Sequence, residues 1–209
     1  MCLRINGYSL LEVIIASALA LIVLGVGSVL LVPSLRASAR GSAQSEMENQ
    51  AVLVSNLLFR DLDAAVAQGV SLKSDGQTMA VMPIQDLQDD ATMTWHTEFV
   101  VYTWDVPNAR VLRRVWSSPG PPALAVTMDG SKPIRIDDAS MSVLAGATSL
   151  ETRILASGVT AFSLQQGGPA PSVTDCVTLT MGLQRASNNG KTTPERFWYT
   201  RSLAFRNRM

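Results

Sequence analysis

Hydrophobic and polar residues are distributed unevenly, and the pattern changes twice along the chain. The run from Leu10 to Val32 contains one charged residue, Glu12. At about 1.5 Å per residue, a helix of this length spans roughly 35 Å, more than the bilayer core of about 30 Å. The run therefore predicts a transmembrane helix, with Gly25, Gly27 and Pro33 weakening or bending its far end.

After Pro33 the apolar residues continue at helical spacing but on one side only. They are separated by three or four residues, which places them on one face of an α-helix. They are Leu35, Ala39, Ala43, Met47, Ala51, Val54, Leu58, Leu62 and Ala65. This stripe predicts that the second half of the helix packs on a globular domain and stops near Gly69.

Strand signals replace the helical pattern from Thr78 onward. A turn at Pro107-Asn108 joins the second and third predicted strands in a hairpin. The predicted strands are Thr78–Met82, Thr92–Trp104, Arg110–Ser117, Val159–Gln165, Asp175–Gln184 and Arg196–Phe205. They indicate an antiparallel sheet packed on the second half of the helix, which is an α+β fold.

Charge and catalytic motifs narrow the possible functions. Seventeen basic and seventeen acidic residues give a formal net charge of zero, so nothing favours nucleic acid as a partner. His96 is the one histidine, and no serine motif, cysteine partner or metal spacing accompanies it. We therefore expect a non-enzymatic protein without a cofactor, in which Cys176 is a small buried residue.

Two acidic clusters are candidate metal sites. They are Asp86-Asp89-Asp90 and Asp137-Asp138. Neither offers the alternating oxygen ligands and the glycine turn of a calcium-binding loop. We expect solvated loop carboxylates and no metal.

The N-terminal segment allows two general interpretations. A cleaved signal peptide would use Ala37-Ser38-Ala39, but the apolar run exceeds the usual length of about 7 to 15 residues and contains an acid. A plain membrane anchor explains the length. It leaves Glu12 unexplained, because a carboxylate near the centre of a membrane helix costs about 2.5 to 3.5 kcal/mol. Near the helix end, snorkelling reduces that cost.

A third interpretation rests on the first residues themselves. They read Gly7-Tyr8-Ser9-Leu10-Leu11-Glu12-Val13. The stretch resembles the class III leader junction of type IV prepilins, in which a short polar leader ends in Gly, an aromatic residue follows, and a Glu stands fifth in the mature chain. Tyr8 departs from the family pattern, which most often has Phe at this position.

The resemblance implies roles for three residues. A prepilin peptidase would cut after Gly7, where the absent side chain lets the enzyme approach the backbone closely. Tyr8 would become the N-methylated terminus, and Glu12 would pair with the N-terminal amine of a neighbouring subunit to set axial register. Cys2 would leave with the leader, so the mature chain would hold one thiol and no internal disulfide.

Four short pieces further along resemble a narrower group, the minor pilins that include the J-type pseudopilin of type II secretion and the W-type minor pilins. They are Arg60-Asp61-Leu62, Leu112 to Trp116, Leu155 to Phe162 and Ser202 to Arg208. Their order along the chain supports the resemblance more than any one piece does. It implies a pilin-like fold, with a long first helix packed on an antiparallel β-sheet domain.

These observations define an expected organisation. Residues 1–7 form a prepilin leader, 8–33 a transmembrane or filament-core helix, 34–68 its amphipathic half and 69–209 a β-rich domain. The expected function is that of a minor pilin or pseudopilin subunit in a type IV pilus or a type II secretion pseudopilus. The alternative is a membrane-anchored extracytoplasmic binding or adhesion module that does not assemble.

The expected partners follow from the resemblance. They are other minor pilins or pseudopilins, the major subunit, the prepilin peptidase and the inner-membrane assembly platform. The expected location is the inner membrane, crossed once, with the C-terminal domain in the periplasm before incorporation into a filament.

Overall fold

One long helix contains the apolar run and most of the stripe that follows it. The computed structural model describes residues 9–87, 92–167, 176–185 and 194–204. Helix α1 extends over Leu10–Asp63. The chain divides into two compact units, one up to Ala43 and one from Gln44 onward.

In the first unit, α1 exposes large apolar side chains on all sides from Leu10 to Leu35. Ser17 and Ser28 direct their hydroxyls to carbonyl oxygens of the preceding turn, at 2.7 and 2.8 Å. A helix that satisfies its own polar groups is one of the few forms in which a chain can cross a bilayer. In the described part of the chain, α1 alone is long and apolar enough to do so, which indicates a single-pass membrane anchor.

The predicted amphipathic half agrees with the structure at its start and differs from it at its end. Pro33 lies inside α1, and the helix continues through it without interruption. At the other end α1 stops at Asp63, before the predicted boundary at 68. The N–H of Ala65 bonds to the carbonyl of Leu62 at 3.1 Å, a tightened turn of the kind that closes helices. A separate 3₁₀ turn, Ala67–Gly69, follows.

The second unit contains ten strands and one further helix within its described residues. The strands are β1 (Val70–Leu72), β2 (Thr78–Val81), β3 (Ile84–Leu87), β4 (Met93–Trp95), β5 (Glu98–Asp105), β6 (Arg110–Ser117), β7 (Glu151–Ser157), β8 (Val159–Gln166), β9 (Cys176–Arg185) and β10 (Glu195–Ala204). Helix α2, Asp138–Gly146, lies between β6 and β7.

All described strand pairs are antiparallel. Five strands form one sheet in the order β1-β2-β5-β6-β7, three form a second in the order β10-β9-β8, and β3 pairs with β4. The β5–β6 hairpin pairs Glu98 with Ser117 and Asp105 with Arg110, around the predicted turn. A long helix followed by antiparallel sheets confirms the predicted α+β class.

The apolar stripe of α1 is buried from Met47 onward. Its buried helical members are Met47, Ala51, Val54, Leu58 and Leu62. They belong to one cluster with residues of both larger sheets, including Tyr102 of β5 and Leu179 of β9. Burying a large apolar side chain contributes roughly 1.5 to 3 kcal/mol. The stripe therefore selects the face of α1 that meets the sheets, whereas its first member, Leu35, stays exposed.

A second core lies on the opposite face of the five-stranded sheet. Phe99 and Trp116 stack there with ring centroids 6.1 Å apart. Met141 and Leu144 of α2 are buried in the same cluster. The five-stranded sheet is therefore covered by α1 on one face and by α2 on the other.

The predicted strands agree with the structure most closely at β6 and β8. Strand β6 has the predicted bounds, and β8 extends one residue beyond them. The single strand predicted over 92–104 is two strands, because the N–H of His96 bonds to the carbonyl of Pro83 at 3.0 Å between β4 and β5. Strands β1, β3 and β7 and helix α2 are not predicted by the sequence pattern.

Two leucines on α1 test the contribution of the buried stripe. We expect Leu58→Ala to lower the free energy of unfolding by about 2 to 5 kcal/mol, because Leu58 is fully buried. Leu53, 41% exposed, is the matched control, since the same substitution changes helix propensity equally. Leu53→Ala should cost under about 1 kcal/mol. Urea unfolding of the full chain in detergent measures both, and equal losses would contradict the assignment.

Candidate functional site

The first turn of α1 holds Glu12 in a reciprocal set of hydrogen bonds with Ser9. The Glu12 carboxylate accepts from the N–H of Ser9 at 3.0 Å and from its hydroxyl at 3.4 Å. In return the N–H of Glu12 donates to the Ser9 hydroxyl oxygen at 3.3 Å. This is a capping box, which satisfies backbone donors that the start of a helix leaves without partners.

The capping box gives Glu12 partners within its own chain, but these partners are replaceable. Its bonds connect residues three positions apart, at 3.0 and 3.4 Å. A strong bond between a cationic N–H and a carboxylate is shorter, about 2.7 to 2.9 Å. Glu12 is also exposed. The carboxylate is therefore free to exchange Ser9 for a cation that approaches the helix end.

The Ser-x-x-Glu spacing at 9–12 is a sequence signal for this cap, and the prediction of Glu12 as a register residue did not use it. The other two predicted site residues, Gly7 and Tyr8, lie outside the described residues. The structure thus describes one member of the predicted processing and assembly site and its local partner.

A second carboxylate is held near the other end of α1. Asp61 is 8% exposed, and its Oδ2 accepts the hydroxyl of Tyr102 at 2.6 Å and the Nε–H of Arg113 at 2.8 Å. Its Oδ1 accepts two longer bonds of 3.4 Å from Arg60. Two of the short segments on which the family resemblance rests, around Asp61 and Arg113, are therefore in contact in the folded chain.

Burial and the Asp61 carboxylate together shift the pKa values of Tyr102 and Arg113. Burial, reinforced by the adjacent carboxylate, raises the pKa of the Tyr102 hydroxyl far above its ordinary value. Burial alone would lower the pKa of Arg113, but its hydrogen bond to Asp61 and the charge of that group outweigh burial and raise it. Neutral Tyr102 and cationic Arg113 thus both donate to Asp61, and together they join α1 to β5 and β6.

The acidic pair at 137–138 has structural contacts. Asp137 accepts the N–H of Ser140 at 2.9 Å as the cap of α2. Hydrogen bonds from the Ser140 side chain and from its N–H lower the pKa of Asp137. Asp138 accepts both the N–H and the hydroxyl of Ser74. Asp137 therefore caps α2, and Asp138 joins the start of α2 to the segment between β1 and β2.

The remaining candidates are dispersed. Asp86 is exposed on β3, and Asp89 and Asp90 lie outside the described residues. Cys176 is buried with a free thiol, as predicted. Within the described ranges, no group of three or more histidine, cysteine, aspartate or glutamate side chains is arranged to hold a metal ion.

No known protein family matches the sequence, and neither a curated protein nor a solved structure matches the chain.

Removing the Tyr102 hydroxyl tests the buried cluster. Tyr102→Phe should lower the free energy of unfolding at pH 7 by about 1 to 3 kcal/mol, because Asp61 loses a donor in a buried position. Tyr199→Phe, at a half-buried position on β10, is the control. Urea denaturation measures both losses, and equal losses would refute a special role for the Asp61 contact.

The same variant tests the pH dependence. A pKa raised in the folded state contributes stability that is present below the unfolded pKa of about 10 and is lost as pH rises above it. The wild type should therefore lose stability between about pH 10 and 11 more steeply than Tyr102→Phe. Parallel pH profiles of unfolding would contradict the expectation.

Proposed function

We propose that this chain is a non-enzymatic minor pilin or pseudopilin subunit, cut by a prepilin peptidase and incorporated in a type IV pilus or a type II secretion pseudopilus. One observation supports the proposal most strongly. A single carboxylate, Glu12, lies in the first turn of a helix that is apolar on all sides and later packs on a β-sheet domain.

The position of Glu12 has a physical use in such a filament. A carboxylate that leaves water for an apolar helix bundle is strongly destabilised unless a cation pairs with it. Cleavage after Gly7 would supply that cation as the N-terminal amine of Tyr8 on a neighbouring subunit. A charge-assisted bond to an amine is stronger than the long bonds to Ser9. The exchange would favour one axial register over its alternatives.

The proposed setting follows from the same role. Before incorporation in a filament, the subunit would lie in the inner membrane with its C-terminal domain in the periplasm. Its partners would be other minor pilins or pseudopilins, the major subunit and the assembly platform. Its length and the four short resemblances support a minor rather than a major subunit.

A second candidate function is a membrane-anchored binding or adhesion module that does not assemble. The capping box favours it, because Ser9 already satisfies Glu12 within one chain and a plain anchor then needs no partner for that charge. The filament function requires the negative charge of Glu12. The plain anchor requires only a side chain that accepts a hydrogen bond.

The N-terminal peptide mass of the protein purified from its own host tests processing. We expect a chain that begins at N-methylated Tyr8. A chain that begins at Met1 would support the plain anchor. One that begins at Arg40 would show a secreted domain and refute the filament role.

Two substitutions at Glu12 separate charge from capping. Glu12→Gln keeps an acceptor suited to the capping box but removes the charge, whereas Glu12→Ala removes both. We expect both variants to accumulate as stable membrane protein and to fall at least tenfold in sheared filaments, measured by immunoblot. Glu48→Ala, at an exposed position on the same helix, is the control. Wild-type incorporation of Glu12→Gln would mean that Glu12 acts only as a cap.

A further inference from the structure

An open cavity, here called the α2 cavity, lies where the C-terminal end of α2 meets the five-stranded sheet. Its volume is about 400 Å³, within the range of about 300 to 1,000 Å³ that is typical of small-molecule sites. Ala145 and Gly146 of α2 belong to its lining, as does Leu112 of β6. Arg114 and Asp105 also line it, so the α2 cavity contains charges of opposite sign.

Arg114 is 8% exposed, and its hydrogen-bond partners are neutral groups. Its Nε–H donates to the Thr152 hydroxyl at 3.1 Å, and one terminal nitrogen donates to the carbonyl of Leu144 at 3.2 Å. That carbonyl lies in the last turn of α2, where a cation is favoured, but a helix end supplies only about half of a unit charge. Within the described residues, no carboxylate forms an ion pair with Arg114. A buried cation without an anion beside it is costly.

The second terminal nitrogen of Arg114 is available to a ligand. It forms no hydrogen bond within the described part of the chain and is not enclosed by protein, so it reaches solvent. Because Arg114 is otherwise enclosed and lines the α2 cavity, the nitrogen reaches solvent there. A guanidinium N–H that meets a carboxylate forms a strong, charge-assisted hydrogen bond. The α2 cavity therefore presents a donor suited to a carboxylate.

Asp105, the opposite charge, is half-buried. Its Oδ2 accepts the side-chain amide of Asn108 at 2.8 Å. Arg110 is directly opposite Asp105 in the register of β5 and β6, yet among the described side chains no ion pair joins them. Burial lowers the pKa of Arg114, and the charge of Asp105 acts against that change. The two opposite charges therefore influence each other without forming an ion pair.

Strand register explains why the two charges lie apart. Asp105 is opposite Arg110 and Arg114 is opposite Val101, so the pair of Thr103 with Leu112 lies between these two pairs on the same face. Same-face positions along a strand are about 7 Å apart, which separates the backbones at Asp105 and Arg114 by about 14 Å. Thr103 and Leu112 line the α2 cavity between the charges.

We propose that the α2 cavity binds a free α-amino acid as its zwitterion. The ligand carboxylate accepts from Arg114, the ligand ammonium group donates to Asp105, and an apolar ligand side chain contacts Leu112. A ligand with one charge is attracted by one of the two protein groups and repelled by the other, whereas a zwitterion is attracted by both. Lys73 and Asp75, which also line the cavity, already form an ion pair at 2.8 Å. This binding does not depend on assembly into a filament.

Binding of leucine to the full chain in detergent, measured by isothermal titration calorimetry at low salt, tests the α2 cavity. Two analogues of leucine each lack one charge: 4-methylpentanoate has no ammonium group, and 3-methylbutylamine has no carboxylate. We expect each analogue to bind about tenfold or more weakly than leucine, because each loses a hydrogen bond between charged groups. Glycine carries both charges and should bind, but more weakly than leucine because it buries no apolar side chain.

A substitution at Asp105 tests the ammonium contact without disturbing the buried Arg114. We expect Asp105→Asn to weaken leucine binding about tenfold or more. Binding of 4-methylpentanoate to the same variant should be unchanged or stronger, because the repulsion between its carboxylate and Asp105 is gone. Asp86→Asn, at an exposed position on β3 outside the cavity lining, is the matched control and should bind leucine as the wild type does.

Three results would overturn the inference. If neither leucine nor glycine shows saturable binding at about 10 mM, the cavity is not an amino-acid site. Equal affinities for leucine and 4-methylpentanoate would show a simple anion site in which Asp105 has no role. Equal losses in Asp105→Asn and Asp86→Asn would show attraction by the overall charge of the protein. The comparison of the two analogues needs no variant, so it decides the proposal even if a substitution impairs folding.

Discussion

A carboxylate buried as deeply as Asp61 is stable only when strong donors reach it, and these donors come from distant parts of the chain. Tyr102 and Arg113 lie on β5 and β6, so both reach Asp61 only after the hairpin has formed and α1 lies on the sheet. The apolar stripe selects the face of α1, but hydrophobic burial is non-directional and would tolerate a shift along the helix axis. A hydrogen-bonded charge does not tolerate that shift. The buried cluster therefore fixes where α1 lies along the sheet.

The two carboxylates of α1 show how burial and sequence distance decide what a charge does. Glu12 is exposed and is held by a residue three positions away, so its contacts form with the first turn and are lost at little cost. Asp61 is enclosed by residues 41 and 52 positions away, and breaking those contacts leaves a charge without water. A replaceable partner suits Glu12 in its proposed role, because Glu12 would exchange Ser9 for the N-terminal amine of a neighbouring subunit. A permanent one suits a joint between a helix and a sheet.

Sequence reasoning performed well where local pattern and burial coincide. The three-and-four spacing of α1 reports side chains that are in fact buried on one face. It failed for β7, whose first four residues are exposed and carry no apolar alternation. It also failed for α2, which is nine residues long and buries only Met141 and Leu144, too few to show a period. The break between β4 and β5 depends on Pro83, which no local pattern connects to His96.

The amino-acid sequence by itself determined a long helix with an apolar half, its amphipathic continuation, the α+β class and the unusual place of Glu12. These are local properties, because a helix face and a charge within an apolar run involve residues only a few positions apart. Tertiary structure alone decided that Asp61 meets Arg113 and that Arg113 lies beside Arg153. Those neighbours depend on strand register and on which strands are adjacent. Both are set by the packing of the whole domain, because hydrogen bonds and ion pairs act only over a few ångströms.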